Sequence, residues 1–220
     1  DLIADATTSV TDTYQLLVSE MANEIKEEVE AATNWRALRQ PVDVNISASS
    51  VSAEITEANE RSRIIRIWDY HREQLTPLVF DKTDANNPYR LYEMDLSELL
   101  RRDTMEPNMT QDPSWFAIDN AAGGTMNLYV WPRPSDARTI QLDMCIPQDR
   151  LDAGDSTDLA TNIKVPARPI TIGLIRYILE ERGEELGINS RWSYEKEMEA
   201  LQDAVALDQA ERGDDTLVVS

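Results

Sequence analysis

Along residues 5–33, Val10, Tyr14, Leu17, Met21, Ile25, Val29 and Ala32 recur at intervals of three and four. That spacing places them on one stripe of an α-helix and predicts a long amphipathic helix. Glu24, Glu27, Glu28 and Glu30 fall mainly off the stripe, and Trp35 and Leu38 follow as an anchor. Pro41, with no amide hydrogen to donate, ends the helical pattern. From residue 42 the period changes to two. Val42, Val44 and Ile46 alternate with polar residues, as do Val51, Ala53 and Ile55, which predicts half-buried strands. Ile64–Trp68, Leu78–Phe80 and Tyr89–Tyr92 read as further short strands, with a turn at Asp84–Pro88. Leu96–Arg102 predicts a short helix, and residues 103–114, with Pro107 and Pro113, a loop. The clearest β signal pairs Trp115–Asp119 with Met126–Trp131 across a turn holding Gly123 and Gly124. Thr139–Ile146 then alternates strictly. Residues 149–164 form a polar loop rich in Asp. Pro166 and Pro169 open a helix over 167–186 that is apolar nearly all round as far as Leu179, so its burial is expected. Gly187 ends it. Asn189 or Ser190 caps a last helix, on which Tyr194, Met198, Leu201 and Val205 share one stripe.

These elements predict an α+β fold in which N-terminal and C-terminal helices, residues 1–40 and 165–212, form a helical bundle. Residues 41–164 are inserted as a β-rich lobe, and residues 213–220 are a C-terminal tail. Runs of helix, then strand, then helix favour this over a doubly wound sheet.

Charge narrows the partners. The 220 residues hold 21 Lys and Arg against 41 Asp and Glu, a net charge of −20. Tight binding to phosphate backbones needs clustered cations, and acidic membrane surfaces repel such a chain. No apolar run approaches the roughly 18 residues of a membrane span. The chain opens on Asp1 rather than Met, so a first residue is expected to have been removed, processed or left out. Cys145 is the single cysteine, which excludes an intrachain disulfide and suits a reducing compartment or a protein large enough to need no bridges. It is expected as a small buried hydrophobe on a strand.

Candidate chemistry is thin. A zinc site needs three or four ligands, and the chain has one His and one Cys. His71, among Asp69 and Glu73, reads as a surface or interface residue. No nucleophile elbow, phosphate loop or dinucleotide fingerprint is present. Asp152, Asp155 and Asp158 lack the spacing of a calcium-binding EF-hand loop and read as a solvated acidic loop. With 41 carboxylates, chance pairs are inevitable, so no single pair points to glycoside hydrolysis. Trp35, Trp68, Trp115, Trp131 and Trp192 read as core packing rather than a sugar platform. Catalytic, metal-binding and cofactor-binding residues are therefore expected to be none.

Residues 89–186 carry an ordered series. Tyr89-Arg90-Leu91-Tyr92 precedes the Leu96–Arg102 segment. Pro113-Ser114-Trp115-Phe116 leads through a glycine turn to Leu128-Tyr129-Val130-Trp131-Pro132-Arg133-Pro134. A strand ends in Ile146-Pro147, and Val165-Pro166 opens the apolar helix. This order and spacing resembles the head-to-tail adaptor proteins of tailed phages, the tail tubular protein A or tail accessory factor type. It covers slightly under half the chain, and residues 42–80 and the final tail fall outside it. The resemblance implies a structural virion protein, made in the host cytoplasm. It implies a homo-oligomeric, dodecameric ring docked on the portal protein and meeting the tail nozzle or tail-tube protein. Such a ring joins capsid to tail and extends a channel through which DNA passes without specific binding. Copies are expected to pack heterologously around a closed axis. The stripe Tyr194, Met198, Leu201 and Val205 is then the candidate portal-facing surface, partly intramolecular. Leu217, Val218 and Val219 are placed to add a strand to a neighbouring sheet. The loops 103–114 and 149–164 are expected to face the nozzle. Competing readings are another neck or head-completion protein, a carbohydrate-binding β module with exposed tryptophans in a groove, and an acidic-site hydrolase. The last needs two carboxylates about 5–10 Å apart in a deep cleft.

Overall fold

A computed structural model describes residues 13–69, 73–120, 125–151, 162–181 and 188–211. In chain order the elements are α1 (Thr13–Ala32), a 3-10 turn (Arg36–Leu38), β1 (Arg39–Ile46), β2 (Ser52–Glu54), β3 (Arg63–Ile64), β4 (Arg66–Asp69), β5 (Gln74–Pro77), β6 (Val79–Asp81), β7 (Tyr89–Arg90) and β8 (Tyr92–Glu93). They continue with α2 (Leu96–Met105), β9 (Trp115–Asn120), β10 (Met126–Trp131), β11 (Arg138–Cys145), α3 (Ala167–Glu181) and α4 (Ile188–Glu211). The chain divides into two units, Arg39–Pro147 and the pair Asp1–Leu38 with Gln148–Ser220.

The β unit grows from the alternation that starts at residue 42. β1 and β11 pair antiparallel, with Arg39 opposite Cys145 and Ile46 opposite Arg138. β11 also pairs with β6 and β3, and β6 with β7, giving a five-stranded sheet. A second sheet runs β2-β10-β9-β8, with β8 parallel to β9. β4 and β5 form a separate ribbon. Alternate residues of each long strand point inward. Val42, Val44, Ile46, Ile140, Leu142 and Met144 thus join Phe116, Leu128 and Val130 in one buried cluster. Cys145 is fully buried on β11. Two segments that read as single strands divide between sheets. The Leu91 amide donates to the Val79 carbonyl at 2.9 Å and the Tyr92 amide to the Ser114 carbonyl at 2.9 Å. Leu91 itself sinks into the core, so the chain changes sheet within residues 89–93. Ile65 does the same between β3 and β4, donating to the Asp143 carbonyl at 2.9 Å.

α2 starts where the Asp95 carboxylate accepts from the Ser97 and Glu98 amides, and it runs to Met105, beyond the expected Arg102. Arg133 grips Asp103 on this helix with bonds of 2.6 and 2.8 Å.

In the other unit, α3 packs on both α1 and α4. Its apolar centre comprises Met21, Ile25, Val29, Trp35, Leu38, Val165, Ile170 and Ala200. Trp35 Nε1 donates to the Val29 carbonyl at 2.6 Å, satisfying one of the carbonyls that a helix end leaves open. A polar stripe on α1 is also buried. Asn23 exchanges two bonds with the Leu151 backbone at 2.9 and 3.0 Å. Lys26 Nζ donates to the carbonyls of Gln148 and Asp149 at 2.9 and 3.0 Å and to Glu30 at 3.3 Å. Glu30 in turn accepts from the Gln148 amide at 3.2 Å. Residues 148–151, which take in the start of the polar loop read at 149–164, thus lie strapped to α1.

The expected helical bundle carrying an inserted β-rich lobe is overturned. The described protein is mixed α+β but mostly β-sheet, with eleven strands in three sheets and four helices. The physical reason is where apolar area gathers. The main buried cluster, Val42 to Met144, is supplied by strands and their connections. Strands of two or three residues, such as β3, β7 and β8, are too short to show a period, so the sequence understates the sheet content.

Candidate functional site

The helices meet at Gly173. A Cβ there would lie 2.6 Å from Glu197 Oε1 and 2.8 Å from Ile25 Cγ2, so only glycine permits this approach of α3 to its neighbours. The approach buries Glu197, which accepts from Arg176 Nε at 2.6 Å. Arg176 Nη1 also reaches both oxygens of Glu180, at 3.1 and 3.2 Å. Its guanidinium stacks 4.5 Å from the Tyr177 ring centre and 5.9 Å from that of Tyr194. Burial pulls the Arg176 pKa down, but the bonds to Glu197 and Glu180 win and hold it above its ordinary value. Glu28 is pushed up, first by burial, then by the charge of Glu197; Arg176 opposes this and Glu24 adds to it.

On α3 the buried side is Pro169, Ile170 and Gly173, while Ile175 is 50% exposed and Ile172, Leu174, Ile178 and Leu179 are half-buried. The expected burial all round is thus corrected. α1 and α4 are the helices packed on α3, and they cover one side of an apolar circumference. On α4 the buried line is Glu197 and Ala200, whose small side chain suits close packing. The stripe read from the sequence sits on one flank of that line. Tyr194 is 53% and Met198 36% exposed, with Leu201 and Val205 half-buried. The structure therefore brings these four together as a partly open surface. Leu217, Val218 and Val219 lie outside the described residues. On the other flank Leu207 is exposed beside an apolar groove of about 310 Å³ lined by Trp35, Pro166, Ala200 and Ala204, with the charged Arg168, Asp203 and Asp208. Asn189 and Ser190, expected as caps, fall inside the first turn of α4.

The β unit holds a larger, polar cleft of about 880 Å³, whose charged lining is Arg63, Arg66, Arg90, Glu93, Asp95 and Asp119. Arg66 and Glu93 form a two-pronged pair at 2.7 and 2.5 Å, and Arg90 donates to Thr76 Oγ1 at 2.6 Å. The pair ties β4 to β8. Sequence reasoning missed the cleft because its lining comes from several short, separate segments with no common motif. Nearby, the buried Asp81 accepts from the Tyr89 hydroxyl at 2.9 Å and the Thr83 amide at 2.9 Å. Burial, and then the Asp81 carboxylate, push the Tyr89 phenol well above its ordinary value.

The tryptophans whose side chains are described are packed. Trp35 is buried, Trp115 tilts against Tyr92 at 5.9 Å, and Trp131 lies under Arg102 at 5.1 Å. His71 and Asp152–Asp158 lie outside the described residues. Among the described residues no group of three or more His, Cys, Asp or Glu is set to hold a metal ion, and no helix is long and apolar enough to cross a membrane. No protein-family model matches the chain, and no curated protein matches it.

Proposed function

We propose that the chain is a structural virion subunit, a head-to-tail adaptor whose copies form a ring under the portal. In this reading the ring, dodecameric as in the adaptors the sequence resembles, joins capsid to tail and extends the DNA channel. It meets the portal on one face and the nozzle or tail tube on the other, and it carries out no catalysis. The observation that carries the reading is apolar surface left open on each of α3 and α4, with Ile175 about half exposed on α3, and Tyr194 about half and Met198 36% exposed on α4. Apolar surface left in water costs about 25 cal/mol per Å², and contiguous patches of it mark interaction sites. Ile175 would face a neighbouring copy, and the Tyr194, Met198, Leu201 and Val205 stripe would face the portal. A contact between unlike faces repeats until the rotation closes, which yields a ring.

The test is sedimentation of the purified chain alone and with portal rings, followed by imaging of any complex. A closed ring seated on the portal is expected. Ile175→Asp should weaken ring formation by about 2 kcal/mol per contact, roughly 30-fold, with an unchanged circular-dichroism spectrum. A chain that stays monomeric at micromolar concentration in both mixtures would sink the reading.

A further inference from the structure

The cleft of the β unit has the size and the chemistry of a binding site. Its volume of about 880 Å³ is ample for a short peptide or a small molecule. Charge there departs from the rest of the chain. The sequence holds 41 acids against 21 bases, whereas the charged lining is Arg63, Arg66 and Arg90 against Glu93, Asp95 and Asp119. Two of those three acids are engaged within the fold. Asp95 accepts from the Ser97 and Glu98 amides, where the positive end of α2 offsets its charge. Glu93 is held by both prongs of Arg66. Setting these aside leaves Asp119 against Arg63 and Arg90, a positive balance in a chain of net charge −20. Arg90 donates to a neutral acceptor, Thr76 Oγ1, at 2.6 Å, so this bond leaves its charge in place. Backbone is open as well. β8 is the edge strand of its sheet, and the β4–β5 ribbon has no third strand among the described residues. The Tyr92 and Met94 amides donate to the Ser114 and Phe116 carbonyls at 2.9 and 2.8 Å. Alternate residues of a parallel strand bond to one neighbour, so the backbone groups of Glu93 point away from β9. Glu93 also lines the cleft.

We propose that the cleft takes an acidic peptide segment of a partner protein, in extended form, added along β8 with its carboxylates on the arginines. A strand added at a sheet edge is held by main-chain bonds, and the side chains beside it choose the partner. Here the choosing groups are guanidiniums, which match carboxylates two bonds at a time. Buried Leu91, Ala117 and Met126 give the lining an apolar part that keeps water from those bonds. Arg66 has two roles in turn: in the subunit alone it holds Glu93, and an incoming carboxylate competes with Glu93 for it. The site lies wholly in the β unit of one subunit and stands independently of the ring.

Fluorescence anisotropy on the full-length chain tests it. The probe is a labelled, end-capped octapeptide of alternating Glu and Thr, with a Lys and Thr counterpart. A third peptide keeps the Glu and Thr side chains but has every backbone amide N-methylated. Salt of about 0.15 M screens the general repulsion beyond about 8 Å and leaves contacts inside the cleft. The Glu peptide should bind, and the Lys peptide should not. The N-methylated peptide, stripped of its donors, should bind about tenfold more weakly. Arg90→Gln should weaken the Glu peptide about tenfold. Glu93→Gln removes the internal competitor for Arg66 and should tighten binding about threefold. A gain of affinity does not arise from a subunit that fails to fold, so this variant keeps the test decisive should Arg90→Gln disturb the sheet. Equal binding of the Glu and Lys peptides, or an affinity unchanged in Glu93→Gln, would overturn the proposal. So would full binding of the N-methylated peptide, which would leave charge alone at work and no added strand.

Discussion

Glu28 shows how one exposed side chain brings the chain's acidity up to the edge of a packed interface. Partial burial acts on it most, the charge of Glu197 on α4 adds to that, Arg176 on α3 opposes it, and Glu24 on its own helix adds a smaller repulsion. Arg176 is already engaged by Glu197 and Glu180. The folded-state pKa of Glu28 is therefore raised above its ordinary 4.5. Between those two values the folded chain holds a proton that the unfolded chain has released. Stability from this group is then full below pH 4.5 and declines as pH climbs through the folded-state pKa. Glu28→Gln removes the penalty. The variant should melt higher than the parent at pH 7.5, and the gap should close as pH falls toward 4.5. Part of the Glu28 surface stays in water, so added salt should narrow the gap as well. A melting difference that is the same at pH 4.5 and 7.5 would count against the acidic cluster.

At the scale of elements, α1 works on two sides at once. Ile25 and Val29 serve the apolar centre, while Asn23, Lys26 and Glu30 bind the backbone of residues 148–151. Lys26 and Glu30 are each 1% exposed, so their pairing is decided away from water. Lys26→Met keeps the aliphatic stem but takes the cation from a buried carboxylate and the donor from two carbonyls. Breaking a buried pair from one side costs about 3 kcal/mol, whereas replacing both partners is often near neutral. Urea unfolding should show that loss for Lys26→Met, with much of it recovered in Lys26→Met/Glu30→Gln. A single variant as stable as the parent would remove the strap from the account. The apolar stripe of α1 was legible in the sequence, because Met21, Ile25 and Val29 keep a helical period. The polar stripe was not, because the groups that bury Lys26 lie 122 and 123 residues away and carry no side-chain signature. The same contrast holds in the sheets. The alternation at 42–46, 126–131 and 139–145 announced its strands, and the register of β9 with β10, Trp115 opposite Trp131, follows the expected hairpin. The splitting of residues 63–69 and 89–93 between sheets depends on distant carbonyls and left no pattern to read. On α4 the four-residue stripe was legible, but its half-open placement was not. That depends on Gly173 drawing the helices together along the Glu197 and Ala200 line.

At the scale of the whole molecule, charge makes the ring reading testable in a way that separates it from nucleic-acid binding. Each copy carries a formal charge of −20, so neighbours in a ring repel one another through their general field while their apolar surfaces attract at contact. The repulsion is long-ranged and screened, with a Debye length of about 10 Å at 0.1 M salt and about 3 Å at 1 M. The apolar attraction is not weakened by salt in this way. Ring assembly should therefore strengthen as sodium chloride rises from about 0.05 to 0.5 M, seen as a shift to faster sedimentation. Binding to duplex DNA runs in the opposite sense, since it draws on counterion release and weakens with salt. A fluorescent duplex should show no anisotropy change with the chain at low salt, where such binding is strongest. Assembly that falls apart as salt is added would mean that ion pairs, not the open faces of α3 and α4, hold the copies together. That outcome would move the interface to the charged groups of the β unit, beginning with the exposed Arg66 and Glu93 that line its cleft.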